Sequence, residues 1–401
     1  MRFCIALFLA CGIPSAYGGA QITPLTRADA VQSAVDRGAR LAVAQADTAV
    51  ATAQLLTARA IPNPTASYNY SKDVPHNHVL VTLPIDLPYL RNLRVRSAQL
   101  GSSAAGLRYQ LARATIALEA DTTYTRAIAS RERVALSRRT ALDADSLLHM
   151  VERRRDAGDA SDMDVELARV NAGQATNLAA VDSLTWISSS LDLQALVGLG
   201  GRQLEVRATD SLVAPPPVPP LPATTIGEAA ASLSLEAAAL NARLQHRSIW
   251  SSPSINVGFD QGDPGSTNAL LPTVGVGIGL PLFDRNRGPI AQAEADRLRA
   301  TAELTRAQVD ARNQIAHATR ERANALAKVE RDRALVASAQ RVVAMSFTAY
   351  REGASSLPNV LAAQKTARDV LSQFIDDLAT AWIATAELRV LALTPEPRIT
   401  Q

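Results

Sequence analysis

The chain has 401 residues, of which 4% are aromatic and 20% are charged, and its formal net charge is +3. So few aromatic residues among many alanines are typical of long helices packed through small side chains, and they argue against two or three compact domains. Because the arginines stand beside acidic residues and do not gather with aromatic ones, nucleic acid is excluded as an expected partner.

The first 20 residues are expected to form a secretory signal peptide. Met1 and Arg2 precede an apolar run of about ten residues, too short to span a bilayer, and small residues that suit cleavage follow at 15–20. Both cysteines, Cys4 and Cys11, lie in this segment, so the mature chain would hold neither a disulfide nor a thiolate metal site. Lipidation at Cys11 is an alternative that its early position disfavours.

Residues 21–197 are expected to form a first structural repeat. Its opening helix is predicted over residues 26–60, with Thr26 as the N-cap and the sequence IPNP as the breaker. A strand pair is predicted at 64–87, where apolar side chains alternate with polar ones on either side of a loop at 72–77. The alternation favours an antiparallel hairpin with one apolar face.

A long helical hairpin completes this repeat. The outgoing helix is predicted over residues 93–155, which contain no proline, and it would extend roughly 90 Å at 1.5 Å per residue. The hairpin tip is predicted at 156–164 and the returning helix at 162–197. The first repeat is therefore mostly helical and elongated.

The same order of elements recurs in a second repeat at residues 226–393, which points to an internal duplication. Its first helix is predicted at 226–248, its strand pair at 253–283 and its long helix at 289–351. The tip is predicted at 351–359 and the returning helix at 357–393. Within this strand pair the loop is predicted at 261–272. A proline-rich connector that cannot be helical, 198–225, joins the repeats, and 394–401 form a C-terminal tail.

Each tip combines a glycine that ends one helix with a serine that starts the next. Gly158 and Gly353 are predicted to take the left-handed conformation that ends a helix. Ser161 and Ser356 would then offer their hydroxyls to the free amides of the returning helix. The residues three positions later, where a capping box has its partner, are Asp164 and Asn359.

Four strands per chain would leave two open sheet edges, which a bilayer does not tolerate. Three copies would supply twelve strands, an even number in the range of closed membrane barrels, and their helices would continue as a closed cylinder. The predicted fold class is therefore mainly α with a small β part: duplicated antiparallel helical hairpins in a trimeric α-barrel, and four strands per chain in a 12-stranded transmembrane β-barrel. A periplasmic coiled-coil protein without a transport role is the alternative.

The order and spacing of these motifs resemble the TolC-like outer membrane efflux proteins of Gram-negative bacteria. The resemblance rests on the duplication, on IPNP before the first strand, on LPLFDRNRGPIAQAEA after the fourth, and on the tip sequences GDASDMDVELAR and GASSLPNVLAAQ. It implies a homotrimer in outer membrane lipid with a large periplasmic part. It also implies a passive exit duct, which an inner-membrane pump energises through a periplasmic adaptor protein.

The resemblance further implies that the tips meet the adaptor. The tip residues matched to the family are Gly158, Ser161, Asp164, Val165, Gly353, Ser356, Asn359 and Val360. In the best-known members the second tip carries acidic residues that ring the closed aperture, whereas Asn359 and Ala362 stand at the matching positions here. The candidate aperture residues are therefore Asp162, Arg351, Glu352 and Asn359.

Other candidate chemistry is weak. His76 and His78, with Asp73 nearby, form a pattern that can bind metal, but polar residues are expected in an exterior loop. The alternating glycines at 275–279 lack the helix start and acidic partner of a dinucleotide site. No nucleophile with a base is recognisable, so no enzyme activity, cofactor or metal site is predicted. The cargo stays open among drugs, metal cations and, through type I secretion, proteins.

Overall fold

The computed structural model describes residues 21–37, 39–73, 75–200, 204–249, 252–263 and 266–395. The expected signal peptide, with Cys4 and Cys11, and most of the predicted tail lie outside the described residues. The fold is mainly helical, at 73%, with a small sheet part, as the sequence predicted. Among the described helices, none combines the length and the apolar composition needed to cross a membrane.

The elements follow one another in an order that repeats. In chain order they are β1 (Gln21–Leu25), α1 (Arg27–Arg37), α2 (Ala39–Arg59), β2 (Thr65–Tyr70), β3 (Asn77–Pro84), α3 (Pro88–Asp156), α4 (Asp162–Leu196), β4 (Leu204–Ala208), α5 (Ile226–Arg247), β5 (Ser254–Asp263), β6 (Ser266–Gly277), α6 (Arg287–Arg351) and α7 (Leu357–Leu391).

Two long antiparallel hairpins, α3 with α4 and α6 with α7, make up most of the molecule. Helix α3 has 69 residues and α6 has 65, so each extends about 100 Å. On α6 the buried residues are mostly alanines at seven-residue intervals, first Ala293 and Ala300, then Ala311, Ala318 and Ala325. A seam of small side chains at heptad spacing lets α7 lie close to the half of α6 nearer the tip, and α5 close to the other half.

The opening helix predicted over 26–60 corresponds to two described helices, α1 and α2, and Gly38 between them lies outside the described residues. Thr26 does cap the first of them, since its Oγ1 accepts a hydrogen bond from the Asp29 amide at 3.3 Å. Helix α1 packs through Ala34 on α3, which fixes the start of the chain against the first hairpin.

The four strands β2, β3, β5 and β6 form one antiparallel sheet in that order. Tyr68 lies opposite Val79, which in turn lies opposite Phe259, and Val257 lies opposite Val274. Residues directly opposite each other share a face of the sheet. The alternation seen in the separate strands therefore adds up to one apolar face across all four.

The loop predicted at 261–272 is wrong for most of its length. Strand β5 runs on to Asp263 and β6 begins at Ser266, with Gln261 opposite Leu270 and Phe259 opposite Pro272. Proline is compatible with pairing here because β6 is the last strand of the sheet and need not donate to another strand. The second strand pair is thus longer than the first.

A second, two-stranded parallel sheet was not predicted. It joins β1 to β4, which lies inside the proline-rich connector, and Leu25 and Ala208 pack there with the buried Tyr124 and Ile128 of α3. The Tyr124 hydroxyl donates to the Leu25 carbonyl at 2.9 Å. The connector is therefore held against the middle of the first hairpin.

The connector also contacts the second hairpin. The indole Nε1 of Trp382 on α7 donates to the Val213 carbonyl at 2.5 Å, and Arg27 of α1 lies with its guanidinium 3.8 Å from the Trp382 ring centroid. Arg27 is also ion-paired with Asp121 of α3. These contacts tie both hairpins together far from their tips.

Candidate functional site

Both hairpin tips end their first helix with the same backbone geometry. Gly158 has φ +86° and Gly353 has φ +77°, the left-handed conformation that the sequence predicted. At the first tip the Gly158 amide donates to the Arg155 carbonyl and the Asp159 amide to the Arg154 carbonyl, both at 2.8 Å. The second tip repeats both bonds at equivalent positions. This is the Schellman arrangement, which satisfies the last carbonyls of the helix.

The two tips differ in how the returning helix starts. At the first tip the Asp164 amide donates to the Ser161 hydroxyl at 3.1 Å and the Ser161 amide donates to the Asp164 carboxylate at 3.2 Å, which is a complete capping box. At the second tip Ser356 makes no side-chain cap bond, so that prediction is wrong. Pro358 lacks a donor in this first turn, and the Asn359 amide group bonds to the Ser355 hydroxyl instead.

The two tips pack against each other around a shared apolar core, which we call the tip core. It contains buried residues from all four long helices: Leu147, Val151, Val165, Ala168, Tyr350, Leu357 and Val360. Val165 is 2% exposed and Val360 is 0% exposed, so both predicted docking residues are enclosed. The tips therefore form one rigid unit rather than two independent hairpins.

A cation joins the two tips as well. The guanidinium of Arg154 donates to the Tyr350 carbonyl at 2.6 Å and lies 4.8 Å from the centroid of the Tyr350 ring. Burial raises the pKa of the Tyr350 phenol, in keeping with its place in the tip core. Sequence reasoning missed both residues, because their meeting depends on a contact between segments 196 residues apart.

The remaining tip residues face outward. Gly158, Ser161 and Gly353 are exposed, and so are the four candidate aperture residues, Asp162, Arg351, Glu352 and Asn359. Met163, which the sequence analysis did not single out, is 69% exposed beside them. The free end of the molecule thus presents backbone turns, a few charges and one large apolar side chain.

At the other end of the long helices the apolar face of the four-stranded sheet is uncovered. Val274 is 76% and Val276 71% exposed, and Tyr68 and Tyr70 on the opposite edge strand are similarly open. The other face is polar: His78 Nδ1 lies 2.8 Å from the Asp260 carboxylate. The outer edges of the first and last strands, β2 and β6, have no partner among the described residues.

The weaker candidates do not assemble into sites. Within the described part of the chain, neither His76 nor His78 belongs to a group of three ligating side chains. Gly275 and Gly277 lie in strand β6, opposite Asn256 and Ser254, and not in a loop before a helix. One group of three potential metal ligands does occur among the described residues, on α6 and α7.

Comparison with known proteins agrees with this architecture. The model of the family described as "Outer membrane efflux protein" matches residues 229–392. The chain is 26% identical over 280 residues to the cobalt-zinc-cadmium resistance protein CzcC of Cupriavidus metallidurans. That match covers 67% of this chain and 66% of the relative, just under two thirds of its length.

Two solved structures share the fold over nearly the whole chain. The outer membrane protein VceC of Vibrio cholerae has a TM-score of 0.75 at 17% identity, covering 92% of this chain and 97% of its own. The outer membrane channel CmeC of Campylobacter jejuni has a TM-score of 0.76 at 15% identity, covering 91% of this chain and 85% of its own. By the family match over its second repeat, and by the fold of the whole chain, the chain is similar to outer membrane efflux proteins.

Proposed function

We propose that the chain is the outer membrane channel-tunnel of a tripartite efflux system, a passive exit duct for small molecules or ions. The observation that carries the proposal is the four-stranded sheet, whose apolar face is exposed and whose two edges are open. A sheet of this kind is stable only where lipid covers the face and other strands cover the edges.

A homotrimer satisfies both requirements. Three four-stranded sheets joined edge to edge give a closed barrel of twelve strands, with Val274 and Val276 toward the lipid and Asp260 toward the lumen. The long helices α3 and α6 are the next elements after β3 and β6, so they would form the periplasmic tunnel below the barrel. On this proposal the protein resides in the outer membrane of a Gram-negative bacterium.

The tips are proposed to dock a periplasmic adaptor, which joins the duct to an inner-membrane pump. The exposed tip residues would make the contact, with Asp164 shaping the first turn; they are Gly158, Ser161, Met163, Gly353 and Ser356. Val165 and Val360 would act only indirectly, by holding the tip core together. The charged residues Asp162, Arg351 and Glu352, with Asn359, are proposed to line the aperture.

Divalent transition-metal cations are the cargo that we favour. The support is the name of the relative CzcC, which refers to cobalt, zinc and cadmium resistance. A strain lacking the gene should become more sensitive to Zn²⁺, Co²⁺ or Cd²⁺, and the intact gene on a plasmid should restore resistance. Sensitivity to hydrophobic drugs alone would reassign the cargo, and no change for either class would contradict the efflux role.

Assembly is tested separately from cargo. The proposal predicts a trimer in outer membrane fractions that dissociates on heating in SDS and that needs detergent for extraction. Release of a monomer from the periplasm without detergent would favour a structural coiled-coil protein instead.

A further inference from the structure

Three side chains with metal-binding groups meet on the second hairpin, well away from the tips and from the sheet. His317 and Glu321 lie one turn apart on α6, with the His317 Nδ1 3.3 Å from a Glu321 carboxylate oxygen. Glu387 of α7 faces them, and one ligand atom from each of the three residues lies within 4.8 Å of the other two. Two antiparallel helices thus supply one imidazole and two carboxylates.

The carboxylates of this group lack the partners that other acids on α6 have. Glu294, Asp310 and Glu330 each pair with an arginine three or four residues away. Within the described part of the chain, by contrast, no arginine or lysine nitrogen lies within 4.0 Å of a Glu321 or Glu387 carboxylate. Among the described residues, the two negative charges therefore face each other without an arginine or lysine ion-paired to either of them.

Two arginines flank Glu321 on α6. Arg320 lines the same surface groove as His317 and Glu321 but forms no ion pair with Glu321 or Glu387 among the described residues, and Arg322 is engaged elsewhere. The Arg322 guanidinium donates to the Thr385 hydroxyl at 3.0 Å and to the Pro216 carbonyl at 3.3 Å. A cation bound between these carboxylates would offset their mutual repulsion.

The chemistry of the group selects the kind of cation. Imidazole with carboxylate suits borderline divalent metals such as Zn²⁺ and Co²⁺, which take nitrogen and oxygen ligands at about 2.0–2.2 Å. Ligand atoms around a tetrahedral ion of that size lie about 3.4 Å apart. The His317–Glu321 distance of 3.3 Å already fits, so the gap between these two residues and Glu387 must close by at most about 1.4 Å. His317 and Glu321 reach into solvent and have the rotamer freedom to close it.

We propose that His317, Glu321 and Glu387 bind one divalent transition-metal cation per chain, with at least one coordination position left to water. The bound ion would join α6 to α7 near the middle of the tunnel wall. This site goes beyond the duct function and stands on its own residues, so it does not require that the cargo be a metal.

The chain offers a matched control on the first hairpin. His149 of α3 lies 3.6 Å from Asp145 and 3.4 Å from Glu152, so it too has an exposed imidazole between two carboxylates. All three of these residues lie on one helix, and among the described residues they do not converge as a ligand group. His149→Ala therefore removes an equivalent histidine without touching the proposed site.

The test uses purified, untagged, full-length protein in detergent. Zn²⁺ binding is measured by calorimetry, and Co²⁺ binding by its visible absorption, which reports nitrogen and oxygen ligation directly. Wild type and His149→Ala should bind one ion per chain with equal affinity, while His317→Ala and Glu387→Gln should bind about tenfold more weakly or worse. Zn²⁺ should also raise the unfolding temperature of the wild type and not that of His317→Ala.

Several results would overturn the site. They are absence of binding by the wild type, unchanged affinity in both His317→Ala and Glu387→Gln, or an equal loss in His149→Ala. Circular dichroism checks that each variant is folded. If His317→Ala does not fold, the affinity of the near-isosteric variant Glu321→Gln for Zn²⁺ is measured in its place. Because binding is measured in solution, its failure would leave the sensitivity and assembly tests of the duct unaffected.

Discussion

The left-handed glycines at the tips allow a prediction whose magnitude follows from the structure. At Gly158 and Gly353 a Cβ atom would meet nothing within 4 Å, so an added side chain causes no clash. The cost of Gly158→Ala is then the backbone penalty alone, about 1–2 kcal/mol for an L-residue in the left-handed region. Gly353→Ala should cost the same, because its φ of +77° is close to that of Gly158.

Gly173 in α4 provides the control with the opposite sign. A Cβ at this position also meets nothing within 4 Å, but the residue lies inside a helix and is not among the described glycines with positive φ. Gly173→Ala should therefore stabilise by about 0.5–1 kcal/mol, since alanine favours the helix. The two substitutions add the same methyl group and should act in opposite directions.

The assay is thermal unfolding of the detergent-solubilised protein, followed by far-UV circular dichroism. Gly158→Ala should lower the unfolding temperature by roughly 1–3 °C, and Gly173→Ala should raise it by a similar or smaller amount. If both substitutions shift it in the same direction, backbone strain at the tip is not what distinguishes these glycines, and the reasoning is refuted.

Three further predictions use variants of single side chains. Ser161→Ala should destabilise by about 1 kcal/mol in urea unfolding, because a capping box is lost, while Ser356→Ala should have no measurable effect, because its hydroxyl caps nothing. Val276→Arg should cost roughly 2–4 kcal/mol if it lies near the bilayer midplane and should reduce trimer yield on unheated gels, whereas Thr273→Arg on the polar face should assemble normally. Asp332→Asn should raise the unfolding temperature at pH 7.5, because burial and a facing carboxylate on α7 raise the pKa of Asp332 and so penalise its ionised form in the folded state. That gain should shrink as the pH falls and vanish below the ordinary pKa of aspartate, where the carboxyl is protonated in both states. A gain that persists there would show another cause.

The sequence predicted the long helices and the tip turns well because their signals are local. A glycine ends a helix, and a proline breaks one, by the geometry of that residue alone. The turns therefore fell where the sequence indicated, and the next helices, α4 and α7, begin at the predicted residues Asp162 and Leu357. Apolar alternation likewise placed the four strands of the sheet, since the period of two residues belongs to each strand alone.

The sequence could not predict features that depend on distant partners. The parallel pairing of β1 with β4 joins the start of the chain to the connector. The sequence LEVRA of β4 does alternate apolar and polar residues, but nothing local identifies its partner, which lies about 180 residues earlier. Burial of Val165 and Val360 follows from the meeting of the two tips, so the same motif that suggested docking also supplies the tip core. The convergence of Glu387 with His317 equally requires the register between α6 and α7.

The central claim is that the open strand edges of one copy are closed by those of another, and cross-linking tests it directly. Within one chain β2 and β6 are three strand spacings apart, about 14 Å, which is too far for a disulfide. A set of double variants replaces Ser67 of β2 and one of residues 270–276 of β6 with cysteine. Outer membrane fractions of cells that make each variant are then treated with an oxidant. The account predicts that at least one pair yields a covalent trimer that reductant returns to monomer, while the single-cysteine variants do not. If every pair stays monomeric, the edges do not meet between copies, and the duct model fails.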